Sequence, residues 1–338
     1  MSFQSPVPAS PTPATAIALP LPANSIDFDR LYSTHEDCRD ILIKARWPNG
    51  FICPSCQNTK GYIRSKRPLI ECSLCGYQAS ATAGTILHSR KLSLPTIFKL
   101  LYMVMATKNG ISTMELARQA GVTYLTAMLW RRKLRDAISH REQRTLEGVV
   151  EVDETMIGGP APGYRGRSLG ENQAMVLVLV EDAGAAGLGR VRLKAIERAD
   201  STTLKQAITE NVAKEATLRT DGWAGYASVA TEAAAGHEVC IAQTPAAASE
   251  ELPLVHRVAS LLKRQILGIF HGSWTHEHLQ SLLDEFAFRF NRRRSKARPL
   301  LFNRVMESGL RQRGPTRRML WGKDVQGLQG VAFPTGVW

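Results

Sequence analysis

Two Cys-x-x-Cys pairs limit what this chain can fold into more than any other feature. Cys53-Pro54-Ser55-Cys56 and Cys72-Ser73-Leu74-Cys75-Gly76 stand fifteen residues apart (57 to 71). At that distance each pair forms a tight knuckle that supplies two thiolates to one tetrahedral ion, the arrangement of a four-cysteine zinc ribbon. Gly61 and Gly76 suit the tight turns, and Tyr62-Ile63-Arg64 and Leu69-Ile70-Glu71 read as the ribbon's strands. A redox pair or four unlinked core thiols are the competing readings. A module this small cannot fold on its apolar core alone, so Zn²⁺ binding must supply much of its folding free energy. Cys38 and Cys240 stand alone and read as ordinary buried thiols.

The remainder of the chain divides around this module. Residues 1 to 25 carry Pro6, Pro8, Pro11, Pro13, Pro20 and Pro22 among Ala, Ser and Thr, which predicts a disordered tail. Residues 26–50 read as a short helical segment and 51–90 as the ribbon. Over 91–142 the spacing of Leu94, Ile97, Phe98, Leu101 and Met105 predicts a helix. Ser112 to Thr123 then reads as helix, turn at Gly121, and a second N-cap at Thr123. The following helix carries Arg131, Arg132, Lys133 and Arg135, a helix-turn-helix with a basic second helix. A generic helical hairpin is the other reading.

From Gly148 the texture becomes α/β. Val149 to Asp153, Ala174 to Glu181, Arg190 to Ala195 and Thr217 to Asp221 read as strands, with a helix from Ser201 between the last two. Three strands with hairpin-like links, then helix, strand and helix, fit a ribonuclease-H-like layered fold over 148–300. No Gly-x-Gly-x-x-Gly turn follows the first strand, which excludes a dinucleotide-binding fold. Residues 233–251 are Ala-rich and read as loop or weak helix, and 301–338 as a basic tail.

Asp153 and Asp221 each close a β-branched run, so the fold delivers both carboxylates to a sheet edge. A later helix opens with His256 and places Ser260, Lys263 and Leu267 on one stripe, beside an apolar stripe of Val255, Ala259, Leu262, Ile266 and Ile269. Two Asp residues and a third ligand are the makings of a site for two Mg²⁺ or Mn²⁺ ions acting on phosphodiesters, with Lys263 within reach of a phosphate. Taken singly, each of these residues also reads as a turn aspartate, a helix-start histidine or a solvated lysine. The formal net charge of +13 is clustered. Arg264, Arg289, Arg292, Arg293, Arg294, Lys296 and Arg298 add to the basic helix as expected phosphate contacts, so double-stranded DNA is the expected partner. No apolar run is long enough to span a membrane, and no signal peptide is evident, so a cytoplasmic protein is expected.

The blocks Val150-Glu151-Val152-Asp153-Glu154-Thr155-Met156-Ile157-Gly158-Gly159, Thr220-Asp221-Gly222-Trp223, Ser260-Leu261-Leu262-Lys263-Arg264, Leu267 to Gly272, and His278 to Arg293, together with the ribbon, resemble the zinc-ribbon-bearing bacterial insertion-sequence transposases of the DDE type (ISXO-like) over about residues 28–300. The resemblance implies a ribonuclease-H-like catalytic domain, divalent metal, binding to terminal inverted repeats, and cleavage and joining of DNA by a homo-oligomer. One position departs from the pattern. Seven residues before the Ser-x-x-Lys lysine such enzymes commonly carry Glu, and here His256 stands there. Imidazole favours Mn²⁺ or Zn²⁺ over Mg²⁺. Three outcomes stay open: His256 acts as a variant third member, Glu250 or Glu251 folds in instead, or the copy is impaired. The intact helix around His256 favours the first. A DNA-binding regulator with an inactive transposase-like domain is the alternative function.

Overall fold

The computed structural model describes residues 19–64, 67–139, 144–158, 170, 172–226, 229, 234–241, 248–272, 274–295, 299–311 and 314–315. The chain forms two compact units. The first comprises Met1–Ala106, Thr113–Ala137 and Phe302–Trp338, and the second Thr107–Ser112 and Ile138–Leu301.

In the first unit, α1 (Ser25–Leu31) starts where the Asn24 side chain accepts the N–H groups of Ile26 and Asp27. Helix α2 (His35–Arg46) opens with a capping box between Thr34 and Asp37. The ribbon follows as a three-stranded antiparallel sheet of β1 (Gly61–Ile63), β2 (Leu69–Cys72) and β3 (Gln78–Ser80). Its third strand was not foreseen. Helices α3 (Leu94–Ala106), α4 (Thr113–Ala120) and α5 (Tyr124–Ser139) come next. Gly121 takes a φ of 64° in the α4–α5 turn, and Thr123 Oγ1 accepts Thr126 N–H, as the spacing predicted. An aromatic cluster holds the unit together. Phe28 stacks on Tyr102 at 4.1 Å, and Phe302 meets Phe28, Tyr32, Phe98 and Tyr102 edge-on.

Two expectations about the termini change. Phe302 belongs to α10 (Pro299–Arg311), whose Leu301, Phe302, Val305, Met306 and Leu310 are buried, so a helix occupies the start of the expected C-terminal tail. At the other end Leu19 is buried, and the carbonyls of Leu19 and Pro20 accept from Asn303 and Tyr32. The rest of both expected tails, residues 1–18, 312–313 and 316–338, lies outside the described residues.

The second unit is a five-stranded mixed sheet of order β6-β5-β4-β7-β8, formed by β4 (Val149–Ile157), β5 (Ala174–Asp182), β6 (Leu188–Ile196), β7 (Thr217–Thr220) and β8 (Gly236–Val239). Strands β4, β5 and β6 are antiparallel neighbours, while β7 runs parallel to β4 and β8 parallel to β7. This is the ribonuclease-H-like arrangement. Strand β5 is apolar on both faces because both are covered. Met175, Leu177 and Leu179 join Val150, Val152 and Leu218 under α6 (Ser201–Asn211). Val176, Val178 and Val180 join the opposite core with α8 (Pro253–Phe270) and α9 (His276–Phe290). In the stretch expected to be loop or weak helix, α7 (Ala248–Glu251) is a short helix, whereas β8 is a strand that was not expected. Helix α8 starts three residues before His256, with Pro253 in its first turn, where its missing N–H costs nothing.

A candidate metal centre on the second unit and a zinc knuckle pair on the first

The four thiol sulfurs lie within 4.8 Å of one another, with Cys53–Cys75 at 3.6 Å and Cys56–Cys72 at 3.5 Å. A tetrahedron of 2.3 Å Zn–S bonds has edges of about 3.8 Å, so the set fits Zn²⁺. The two knuckles are built alike. Gln57 N–H donates to Cys53 O and Gly76 N–H to Cys72 O, and both residues take positive φ, 63° and 71°. Asn58 Nδ2 also approaches the Cys72 sulfur, at 3.4 Å.

The second site begins with β4 at the centre of its sheet. The parallel ladder pairs Val149 with Thr217, Val150 with Leu218 and Glu151 with Arg219. Carried two residues further, the same register sets Asp153 level with Asp221, one position past the end of β7. Side chains two apart share a face. Asp153 therefore lies on the face carrying Glu151 and, across the antiparallel ladder, Val178 and Val180. That face is covered by α8, and His256 of α8 brings Nε2 to 4.0 Å from Asp153 Oδ2. One ion with bonds of about 2.0–2.2 Å spans such a gap. Asp221 is exposed and less closely gathered, with Oδ1 accepting the N–H of Trp223. Among the described residues, the cysteines are the one set of three or more metal-ligating groups that has closed up, and Asp221 does not complete such a set with Asp153 and His256. Two carboxylates approaching each other repel, a cost that a cation offsets.

Two further residues hold this arrangement, and neither was singled out from the sequence. Glu151 is 1% exposed, and its Oε2 accepts the N–H groups of Leu254 (2.8 Å) and Val255 (3.1 Å) at the start of α8. Burial raises its pKa above the ordinary value, against those bonds and the Arg219 charge. Tyr226 is fully buried and donates its hydroxyl to Glu154 at 2.5 Å, tying the segment after Asp221 to β4. Burial, then the neighbouring carboxylates Glu154, Asp153 and Asp221, push the Tyr226 phenol well up. The signal for Glu151 was available: an acid inside Val149-Val150-Glu151-Val152, in phase with Asp153.

Lys263 is exposed two turns along α8 from His256, beside a cavity of about 600 Å³ also lined by Met156, Trp274 and His276. Arg264 is exposed as well. The other expected phosphate contacts fare differently. Arg131, Lys133 and Arg135 are buried, with Lys133 Nζ donating to Ile86 O and lying over the Trp130 ring, and Arg132 is half-buried. Arg289 is buried against Glu285 and donates to Thr107 O. Arg292 and Arg293 are half-buried, stacked over Phe288 and Phe290; Arg293 donates to Gly189 O at the start of β6, and Arg294 to Ala186 O in the β5–β6 connection. These side chains were read as solvent-facing because composition cannot show the direction in which a helix presents its charges. Arg131, Lys133, Arg135 and Arg289 are packing residues here, and Lys296 and Arg298 lie outside the described residues.

Among the described residues, no helix is long and apolar enough to cross a membrane. No curated protein matches the chain in sequence. Solved structures that it resembles include the Mos1 strand transfer complex (14% identity, TM-score 0.26, covering 62% of this chain and 77% of that one). A pre-cleavage Mos1 transpososome is also similar (13% identity, TM-score 0.24, covering 62% and 78%). These superpositions are weak, and the assignment rests on two family models. One, the ISXO2-like transposase domain, matches residues 145–291, and the other, the transposase zinc-ribbon domain, matches residues 33–78. With the two domains in this order and the ribonuclease-H-like sheet between β6 and β8, the chain belongs to the ISXO2-like (IS1595) family of DDE transposases.

Proposed function

We propose that this chain binds the terminal inverted repeats of an insertion sequence and cuts and joins DNA strands at a divalent-metal centre on Asp153, Asp221 and His256. The observation carrying this reading is the 4.0 Å approach of His256 Nε2 to Asp153 Oδ2, and the β4–β7 register, continued past its last pair Glu151–Arg219, puts Asp221 level with Asp153. A bound Mg²⁺ or Mn²⁺ would polarise the phosphoryl group and ease deprotonation of the attacking oxygen. Asp153 and Asp221 provide the hard oxygen ligands. His256 provides a nitrogen that favours Mn²⁺ over Mg²⁺. Exposed Lys263 and Arg264 hold phosphates beside the centre. Hydrolysis of one P–O bond frees a 3′-hydroxyl at the element's end. That oxygen then attacks a target phosphodiester, forming one P–O bond as another breaks. The ribbon and the α4–α5 pair grip the duplex, and joining two ends calls for at least two copies of the chain.

The test is nicking of supercoiled plasmid and joining of element-end DNA with Mg²⁺ or Mn²⁺. Asp153→Asn is expected to abolish both while end binding persists, and full activity in that variant removes Asp153 from the site. His256→Glu is expected to shift preference from Mn²⁺ toward Mg²⁺, and an unchanged preference with activity retained rules out His256 as a ligand. A second reading, a DNA-binding regulator with an inactive domain, is favoured by one observation, the imidazole in place of the family's usual carboxylate. Absence of nicking and joining with either metal, alongside specific end binding, would select it.

A further inference from the structure

We infer that Glu151 is a positioning residue for the centre: it anchors the start of α8 to β4 and so sets where His256 stands relative to Asp153. The inference rests on the metal-centre reading above. The first turn of a helix leaves several N–H groups without partners inside the helix. In α8, Pro253 has no N–H, the N-cap residue Leu252 offers no side-chain acceptor, and His256 N–H reaches Leu252 O at 3.4 Å. Leu254 and Val255 are the two donors left, and Glu151 takes both on a single oxygen, Oε2. The acceptor is thus not on the helix but on the strand that carries Asp153, two residues away on the same face. The negative charge also suits the positive end of the helix dipole.

The anchor is itself braced. Arg219, directly across the parallel ladder, places Nη1 3.8 Å from Glu151 Oε1 and is held in turn by Asp182 at 3.3 Å and Glu238 at 3.0 Å. One strand therefore supplies a ligand and the clamp for the helix bearing another ligand. His256 follows directly after the second clamped residue, so a slip of the helix end displaces its ring from Asp153.

Because both bonds fall on one oxygen, reach matters more than charge. Glu151→Gln keeps an oxygen at the same distance. Glu151→Asp keeps the charge but shortens the side chain by one carbon–carbon bond of about 1.5 Å, beyond hydrogen-bond range of the two N–H groups. The zinc-loaded full-length protein and both variants are compared by three readouts. These are hydrogen exchange at the Leu254 and Val255 amides, Mn²⁺ affinity from water-proton relaxation, and the Mn²⁺ concentration for half-maximal plasmid nicking. Glu151→Asp is expected to lose exchange protection at those amides and to need at least tenfold more Mn²⁺. Glu151→Gln should stay within about threefold of the parent, and end binding should be unchanged in both. The proposal is overturned if Glu151→Asp matches the parent, if Glu151→Gln is impaired as much as Glu151→Asp, or if protection of the two amides is unchanged in Glu151→Asp. If the parent protein does not nick DNA at all, the functional reading fails, and exchange and Mn²⁺ affinity still decide the anchor.

Discussion

Replacing Arg289 by Met separates two accounts of the same side chain. In the structure, Arg289 is 6% exposed and Glu285 1% exposed, with Nη2 3.2 Å from Glu285 Oε1 and Nη1 donating to Thr107 O at 2.7 Å. Removing Arg289 takes away the buried ion pair of Glu285, at a cost of about 3–5 kcal/mol. The lost bond to a neutral carbonyl contributes about 1 kcal/mol of that. Adding Glu285→Gln removes the buried charge that Arg289 balanced, so the double variant should recover most of the deficit and end within about 1–2 kcal/mol of the parent. Equilibrium urea unfolding of the second unit measures this. Duplex binding across a salt series measures the alternative, since each lost phosphate contact lowers the slope of log K against log salt by about 0.9. The expected result is a large stability loss with the slope unchanged. A slope reduced by about 0.9, with stability within about 0.5 kcal/mol of the parent, would refute the packing role.

Two further outcomes are expected. Stripping the thiolate site with a chelator, or Cys72→Ser, should abolish exchange protection over β1 to β3 while the five-stranded sheet keeps its own; protection surviving in the ribbon would argue against a metal-dependent fold. The Asp284 carboxyl is held above its ordinary value of 3.8, chiefly by burial and against its bonds from Gln280 and Ser139. A raised folded value means a contribution fully present below the unfolded pKa and lost as pH rises through the folded one. Asp284→Asn should therefore be more stable than the parent at pH 7 and show no advantage near about pH 3, as read from thermal unfolding midpoints; an equal advantage at both pH values would refute burial as the cause.

Much of this architecture was visible before folding, for reasons that differ by element. The ribbon was legible because metal geometry dictates spacing directly. Strands β4 to β7 were legible because β-branched and apolar residues run or alternate up to a turn residue, as with Gly148 before β4, Gly187 before β6 and Asp221 after β7. The α8 stripe held too, with Val255, Ala259, Leu262 and Ile266 buried and Ser260 and Lys263 exposed. Strand β8 was missed because Gly236-His237-Glu238-Val239 has little apolar character, and its identity comes from the hydrogen bonds of β7. Helix α10 was missed although Leu301, Phe302, Val305 and Met306 are spaced for it, since neighbouring arginines made the stretch look like a tail. Of the candidate centre, the pairing of Asp153 with His256 was legible. The role of Glu151 was not, because it depends on which helix end lands above which strand residue, and that is a property of topology.

The first unit is assembled from segments that precede and follow the five-stranded sheet in the chain. Its aromatic cluster is incomplete until Phe302 arrives, and Ile86 N–H finds its acceptor only in Gly309 O. During synthesis the whole five-stranded sheet therefore leaves the ribosome before the aromatic cluster of the first unit can close. A nascent chain thus holds every strand of the sheet ahead of a finished first unit, and a stop codon shortly before Phe302 would leave the amino-terminal helices without their keystone while sparing the sheet.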